Sequence, residues 1–150
     1  MDEKDALLKL EAYCASGEHC VNDVRIKLDK YDLSQDQSER IIEKLKETGF
    51  VDEQRYARAF VHDKLLFAKW GRLKISAMLW QKRLPQNIID EALENINDDD
   101  YIAVLKEVIN SKKSAIKARS DYEYSVKLIK SVASRGFEIP LIKQFVKFEE

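Results

Sequence analysis

Residues 75–93 read ISAMLWQKRLPQNIIDEAL, and their apolar spacing decides the fold. Ile75, Leu79 and Leu84 mark one side of a helix and its exit. Pro85 opens a second helix whose apolar face carries Ile88, Ile89 and Leu93. The pattern recurs in both directions. Val24, Leu28 and Leu33 stand 51 residues earlier, followed by Ile41, Ile42 and Leu45. Leu128, Val132 and Phe137 stand 53 residues later, followed by Leu141, Ile142, Phe145 and Val146. Each pair of helices has a further amphipathic segment in front of it. The spacing therefore predicts an all-α chain of three tandem three-helix units, 1–50, 51–97 and 98–150, stacked into an elongated, curved array.

Helices are predicted over 3–16, 20–31, 35–48, 52–68, 71–83, 86–96, 98–111, 120–135 and 139–147. Local signals mark several ends. Ser34 with Gln37 reads as a capping box, and Asp52 as an N-cap. Gly49 and Gly136 stand where helices stop, and Pro140, like Pro85, suits a first turn. Only four glycines and two prolines in 150 residues favour helices with short connections over a many-stranded sheet.

Composition narrows the function classes. Hydrophobic residues make up 45% and charged residues 35%, which suits a folded chain rather than a disordered one. No run approaches membrane-spanning length and the first residues are charged, so a cytoplasmic protein with reduced thiols is expected. The net charge of −1 gives no whole-chain case for nucleic acid. The distribution is uneven, however. Between Lys64 and Ile89 there is no Asp or Glu, against six Lys and Arg. Such a local basic segment suits an anionic partner.

Chemistry has few candidates. Cys14, His19 and Cys20 lack a fourth ligand nearby, and their spacing is not that of a zinc or redox motif, so Cys14 is read as core and Cys20 as a helix start. The run Asp98-Asp99-Asp100 could chelate a divalent cation, but it also complements the dipole of the helix it opens, the reading preferred here. No phosphate loop, nucleophile motif or H-E-x-x-H occurs, so no catalytic residue, cofactor or metal is assigned.

Binding candidates are better defined. On the helix from 52 to 68, Arg55, Arg58 and His62 fall within about 60° of arc, and Lys69 joins them if the helix continues. This stripe is either a solvated face or an anion-binding one. Tyr56, Phe60 and Phe67 share another face, assigned to the core. The acid-free segment adds Trp70, Arg72 and Lys74, then Lys82 and Arg83, whose charges also suit a helix C-terminus. Trp80 is placed in the core. Trp70, beside Gly71, fits either core or an interface anchor. A groove-reading helix-turn-helix is disfavoured, because the second helices carry Glu39, Glu43 and Glu47 or Asp90, Glu91 and Glu94.

Several stretches resemble one family. Leu45-Lys46-Glu47-Thr48-Gly49-Phe50-Val51-Asp52-Glu53-Gln54-Arg55-Tyr56-Ala57 is similar to the central signature of the RecX family. Trp70-Gly71-Arg72-Leu73-Lys74-Ile75, Asn87 to Leu93, and Ser134-Arg135-Gly136-Phe137 resemble its later segments in the same order. The chain departs from the pattern at Cys20 to Val24 and at Lys82-Arg83-Leu84, where a Lys-Gly-Ile turn is usual. The resemblance implies a non-enzymatic regulator that lies in the groove of the RecA filament, with some members contacting DNA, and that inhibits recombinase and ATPase activity. On that reading Arg55, Arg58, Lys69, Trp70, Arg72, Lys74, Lys82 and Arg83 are the expected contacts of a protein expected to be monomeric. A nucleic-acid-binding module acting without RecA, or a helical adaptor for another protein, would fit the residues alone.

Overall fold

A computed structural model describes residues 1–147, and among these the secondary structure is entirely helical. The elements are α1 (Glu3–Ala15), α2 (Val21–Leu28), α3 (Gln35–Glu47), α4 (Glu53–Leu66), α5 (Arg72–Gln81), α6 (Gln86–Glu94), α7 (Asp98–Lys113), α8 (Asp121–Ala133) and α9 (Ile139–Ile142). Helices α1, α2 and α3 pack on one another, as do α4, α5 and α6; α8 packs on both α7 and α9. Helix α4 also touches α7.

The helix starts follow from local chemistry. The Ser34 hydroxyl accepts the Gln37 N–H at 3.2 Å while the Gln37 side chain accepts the Ser34 N–H at 2.9 Å. Asp52 accepts the Arg55 N–H, Asn97 the Asp100 N–H and Ser120 the Glu123 N–H. Each bond satisfies an amide that has no partner inside its helix. The acidic run Asp98 to Asp100 is the first turn of α7, where negative charge meets the helix dipole.

Helix ends depart further from expectation. Helix α4 stops at Leu66, not at 68, and α5 at Gln81, not at 83. Both are followed by a left-handed residue, Lys69 at φ 58° and Arg83 at φ 63°. Gly49 and Gly136 fill comparable places with φ 79° and 98°. Glycine adopts that backbone freely, whereas a residue with a Cβ is held in it at a cost of roughly 1–2 kcal/mol. The last helix is shorter than the 139–147 expected. After Lys143 the amides of Gln144 and Phe145 bond three residues back, to Leu141 and Ile142, so the chain tightens into a 3₁₀-like turn. Residues 148–150 lie outside the described residues.

The repeated triplets line the interior. Val24, Leu28, Ile75, Leu79, Leu84, Leu128, Val132 and Phe137 are all buried, and Leu33 is partly so. They do not form three equal cores. Ala6, Leu10, Cys14, Val24, Leu28, Ile41, Ile42, Leu45 and Val51 make one cluster under α1–α3. A second cluster runs unbroken from Tyr56 through Ile75, Ile89, Tyr101 and Leu105 to Phe137, Ile142 and Val146. Cys20, the N-cap of α2, packs into this second cluster. Helices α4–α9 therefore form one apolar body, to which α1–α3 attach as a second.

Two aromatic placements are corrected. Phe67 is 77% exposed, although its spacing from Tyr56 and Phe60 matches the core face. Helix α4 ends one residue before it, so the helical angle no longer applies; its ring meets His62 edge-on instead. Trp80 is 69% exposed. The core stripe of α5 is Ile75 and Leu79, and Trp80 lies about 140° round the helix from Ile75.

Candidate partner-binding surface

The eight candidate contacts lie on α4, on α5 and at their ends, and most already have a partner within the fold. Arg55 pairs with Glu18 and donates to the Gly49 carbonyl at 3.1 Å, which ties α4 to the α1–α2 loop. Lys82 reaches Asp23 of α2 at 3.2 Å. Arg58 pairs with Glu91 on α6. Lys69 bridges to Glu107 on α7 at 3.0 Å. Arg72 meets Glu138 at 2.9 Å and Asp98 at 3.5 Å, with its guanidinium 3.8 Å over the Tyr101 ring. These cations bridge helices. The stripe of Arg55, Arg58 and His62 is exposed, as its arc implied, yet its two arginines point to different acidic neighbours.

Trp70, Lys74 and Arg83 are placed differently. Trp70 is half-buried against the main core, and its ring carries Lys64 at 4.9 Å and Lys74 at 4.5 Å. It is a platform for two ammonium groups rather than a protruding anchor. The Arg83 side chain is exposed and makes no hydrogen bond or ion pair among the described residues. The exposed tryptophan is Trp80, which the sequence reading placed inside. On α5, Leu73, Ala77 and Trp80 recur at four and three residues and form an exposed apolar line.

Two junctions fix the helix groups. Between α1–α3 and the rest, contacts are mainly polar. The Val21 N–H donates to Glu53 at 3.2 Å, and Asp23 accepts from both the Cys20 N–H and Lys82. Within α1–α3 and their connections, His19 stacks on Tyr13 with 3.7 Å between ring centroids. Burial would raise the Asp23 carboxyl, but the Cys20 amide and Lys82 outweigh it and hold its pKa below the usual value. Glu53 lacks a comparable cation, and burial pushes its pKa up. The Cys14 and Cys20 thiols are also pushed up by burial.

The second junction locks backbone to backbone. The Gly71 N–H donates to the Arg135 carbonyl at 2.8 Å and the Leu73 N–H to the Gly136 carbonyl at 3.0 Å. The Arg135 guanidinium returns to the Ala68 and Lys69 carbonyls. Tyr101 accepts the Arg72 N–H at 3.0 Å and donates its own proton to Glu138. Burial would raise the Glu138 pKa, and the bonds from Tyr101 and Arg72 bring it below the usual range instead. Burial, reinforced by the bond to Glu138, pushes the Tyr101 pKa well up, so the phenol remains a donor. Sequence reasoning missed this triad, whose members stand 29 to 66 residues apart.

Metal and membrane features are limited. Among the described residues no group of three His, Cys, Asp or Glu side chains converges as a metal site would require. No described helix is long and apolar enough to cross a membrane.

The fold defines an all-helical protein, among the described residues, built from packed three-helix groups. Residues 52–93 match the family model described as the second three-helix domain of RecX. A regulatory protein RecX of Clostridium botulinum (strain Alaska E43 / Type E3) is 34% identical over 154 residues, covering 96% of this chain and 70% of that protein. The chain belongs to the RecX family of regulatory proteins. Regulatory protein RecX of Lactobacillus johnsonii is 28% identical over 90% of this chain, and that of Clostridium acetobutylicum 30% identical over 83%. The chain spans 50% and 59% of the length of these two relatives. The crystal structure of RecX from Lactobacillus salivarius superposes with a TM-score of 0.82 at 21% identity, covering 95% of both chains. A further crystal structure, of a regulatory protein RecX, gives 0.87 at 19% identity over 97% of this chain and 72% of the other. At these identities the superpositions speak for the fold.

Proposed function

We propose that this chain binds the RecA–DNA filament in the cytoplasm, as a monomer, and lowers RecA's recombinase and ATPase activities without catalytic residues of its own. Membership of the RecX family is the observation that carries the reading. The helical units 1–50, 51–97 and 98–150 would present successive surfaces to successive filament subunits. The locked body of α4–α9 supports this, since a rigid bridge between subunits spends little of its binding energy on ordering.

The contact region is the second unit, carrying Arg55, Arg58, Lys69, Trp70, Arg72, Lys74, Lys82 and Arg83. Within it the roles divide. Arg55, Lys69, Arg72 and Lys82 set the orientation of neighbouring units through their internal pairs, and Arg58 ties α4 to α6. Among the described residues Arg83 and Lys74 hold no carboxylate, which leaves them available to a partner. The test is DNA-dependent ATP hydrolysis by the cognate RecA with the chain titrated in. Inhibition at stoichiometric amounts is expected. Unchanged hydrolysis at several-fold excess would end the proposal.

A further inference from the structure

We infer that the exposed face of α5 docks a protein segment that is apolar with a carboxylate opposite Arg83, and that it does not dock nucleic acid. The inference rests on the filament reading above and assigns this face to a filament subunit rather than to its DNA. Three observations carry it.

Leu73, Ala77 and Trp80 stand on one line of α5 with Leu73 59% and Trp80 69% exposed. Beyond the C-terminus of α5, Ile26 of α2, 55% exposed, lines the same open cleft as Gln81 and Arg83, a space of ≈ 600 Å³. An exposed apolar line that includes a tryptophan is typical of a protein contact, and spacing of four and three residues suits a partner helix or ridge laid along α5.

Arg83 sits at the end of that line with φ 63°, a conformation that glycine adopts more easily. The other non-glycine left-handed residue among those described, Lys69, is engaged at both ends. Its carbonyl accepts from Arg135 and its ammonium meets Glu107. Arg83 has no such internal engagement; its backbone N–H only closes the turn to Trp80. A strained backbone carrying an exposed, unpaired guanidinium is a cost without a return inside the fold.

Charge then selects the partner. From Lys64 to Ile89 no acid is present, so α5 itself carries no carboxylate; among the described residues Asp98 and Glu138 pair with it only at Arg72 and Asp23 only at Lys82, which leaves Arg83 as the cation offered to a partner carboxylate. The α2–α3 wall of the cleft carries Asp29 and Glu39, with Arg25 already paired to Glu39. A polyanionic backbone would meet those carboxylates and gain little from Leu73, Ala77 and Ile26, whereas a protein surface with few charges fits both walls.

The experiment measures affinity of the full chain for RecA filaments on single-stranded DNA and, separately, for that DNA alone. It compares wild type, Trp80→Ala, Leu73→Ser/Trp80→Ala and Arg83→Gly. Trp80→Ala should bind filaments at least about ten-fold more weakly, and the double variant more weakly still, with unchanged circular dichroism. Arg83→Gly should melt at the same or a higher temperature yet bind about five-fold or more weakly, which excludes misfolding as the cause. Wild-type affinity in the double variant with wild-type chain bound overturns the docking face. Retained affinity in Arg83→Gly removes the carboxylate pairing. An equal loss for DNA alone overturns the protein partner in favour of nucleic acid. Absence of wild-type binding to filaments removes both this inference and the reading beneath it.

Discussion

Gly71 and Gly136 approach so closely that a Cβ at Gly71 would overlap the Gly136 backbone and one at Gly136 would overlap the first turn of α5. An added methyl at Gly71 would lie 2.4 Å from the Gly136 carbonyl carbon, and one at Gly136 would lie 2.4 Å from the Lys74 Cβ. The close approach lets the Gly71 and Leu73 amides reach carbonyls of the α8–α9 connection. Two loops 65 residues apart thus share one hydrogen-bonded seam, and α4–α9 behave as a single body.

Substitution at these glycines separates packing from backbone freedom. Gly71→Ala should destabilise by more than about 2 kcal/mol, because rigid backbone must move and two inter-loop bonds lengthen. Gly49→Ala, with φ 79° but nothing within 4 Å of the new methyl, should cost only about 1 kcal/mol. Urea denaturation of the three proteins checks the order. Equal midpoints for the Gly71 and Gly49 variants would show that the close approach contributes nothing.

Tyr101→Phe removes one hydroxyl that serves two partners. The Arg72 amide loses its acceptor and Glu138 loses a donor, at a cost of about 1–3 kcal/mol near neutral pH. Glu138 has a folded pKa below its unfolded one, so the stability it contributes is complete above the ordinary carboxylate range and is lost as pH falls through the folded value. The wild type should therefore lose stability on acidification below about pH 4.5, and Tyr101→Phe should lose less over the same interval. Denaturant midpoints measured from pH 7 to pH 3 decide it. Parallel curves would detach Glu138 from the acid response.

The tryptophans offer a direct optical check on two side chains. In Trp70→Phe the remaining Trp80 should emit near the wavelength of a hydrated indole and be quenched readily by acrylamide. In Trp80→Phe the remaining Trp70, half-buried beneath Lys64 and Lys74, should emit further to the blue and resist quenching. The reverse order would return Trp80 to the interior.

What the residues disclosed in advance depended on range. The caps at Ser34 and Asp52 and the helix stops at Gly49 and Gly136 are local, and each appears where its neighbours imply. The triplets beginning at Val24, Ile75 and Leu128 were legible because burial repeats with the helical period. Trp80, placed in the core, is exposed because it stands off the line of Ile75 and Leu79. Phe67 was misplaced because its angle held only while the helix continued. The roles of Arg55, Arg72 and Lys82 were not legible at all. Each depends on a carboxylate 37, 66 or 59 residues away, and a basic residue awaiting a partner looks the same in sequence as one already paired. The break in the core after Val51 was equally hidden, because the repeat spacing is the same on both sides of it.

That break predicts unequal stability along the chain. Helices α1–α3 hold their own apolar cluster and meet the larger body through Cys20, Glu53 and the pairs Arg55–Glu18 and Lys82–Asp23. The Arg55 and Glu18 side chains are substantially exposed, and a pair of that kind adds at most about 1 kcal/mol. The seam between α4–α6 and α7–α9 has continuous core and backbone bonds besides its ion pairs. Native-state hydrogen exchange should accordingly find amides such as Leu10, Val24 and Ile42 opening at least about 1 kcal/mol more easily than Ile75, Leu105 and Val132. Lys82→Met should widen the gap, because Asp23 loses its cation while α4–α9 keep every contact described for their own seam. A common opening free energy for both sets, unaffected by Lys82→Met, would mean that the polar junction couples the groups as firmly as the shared core does.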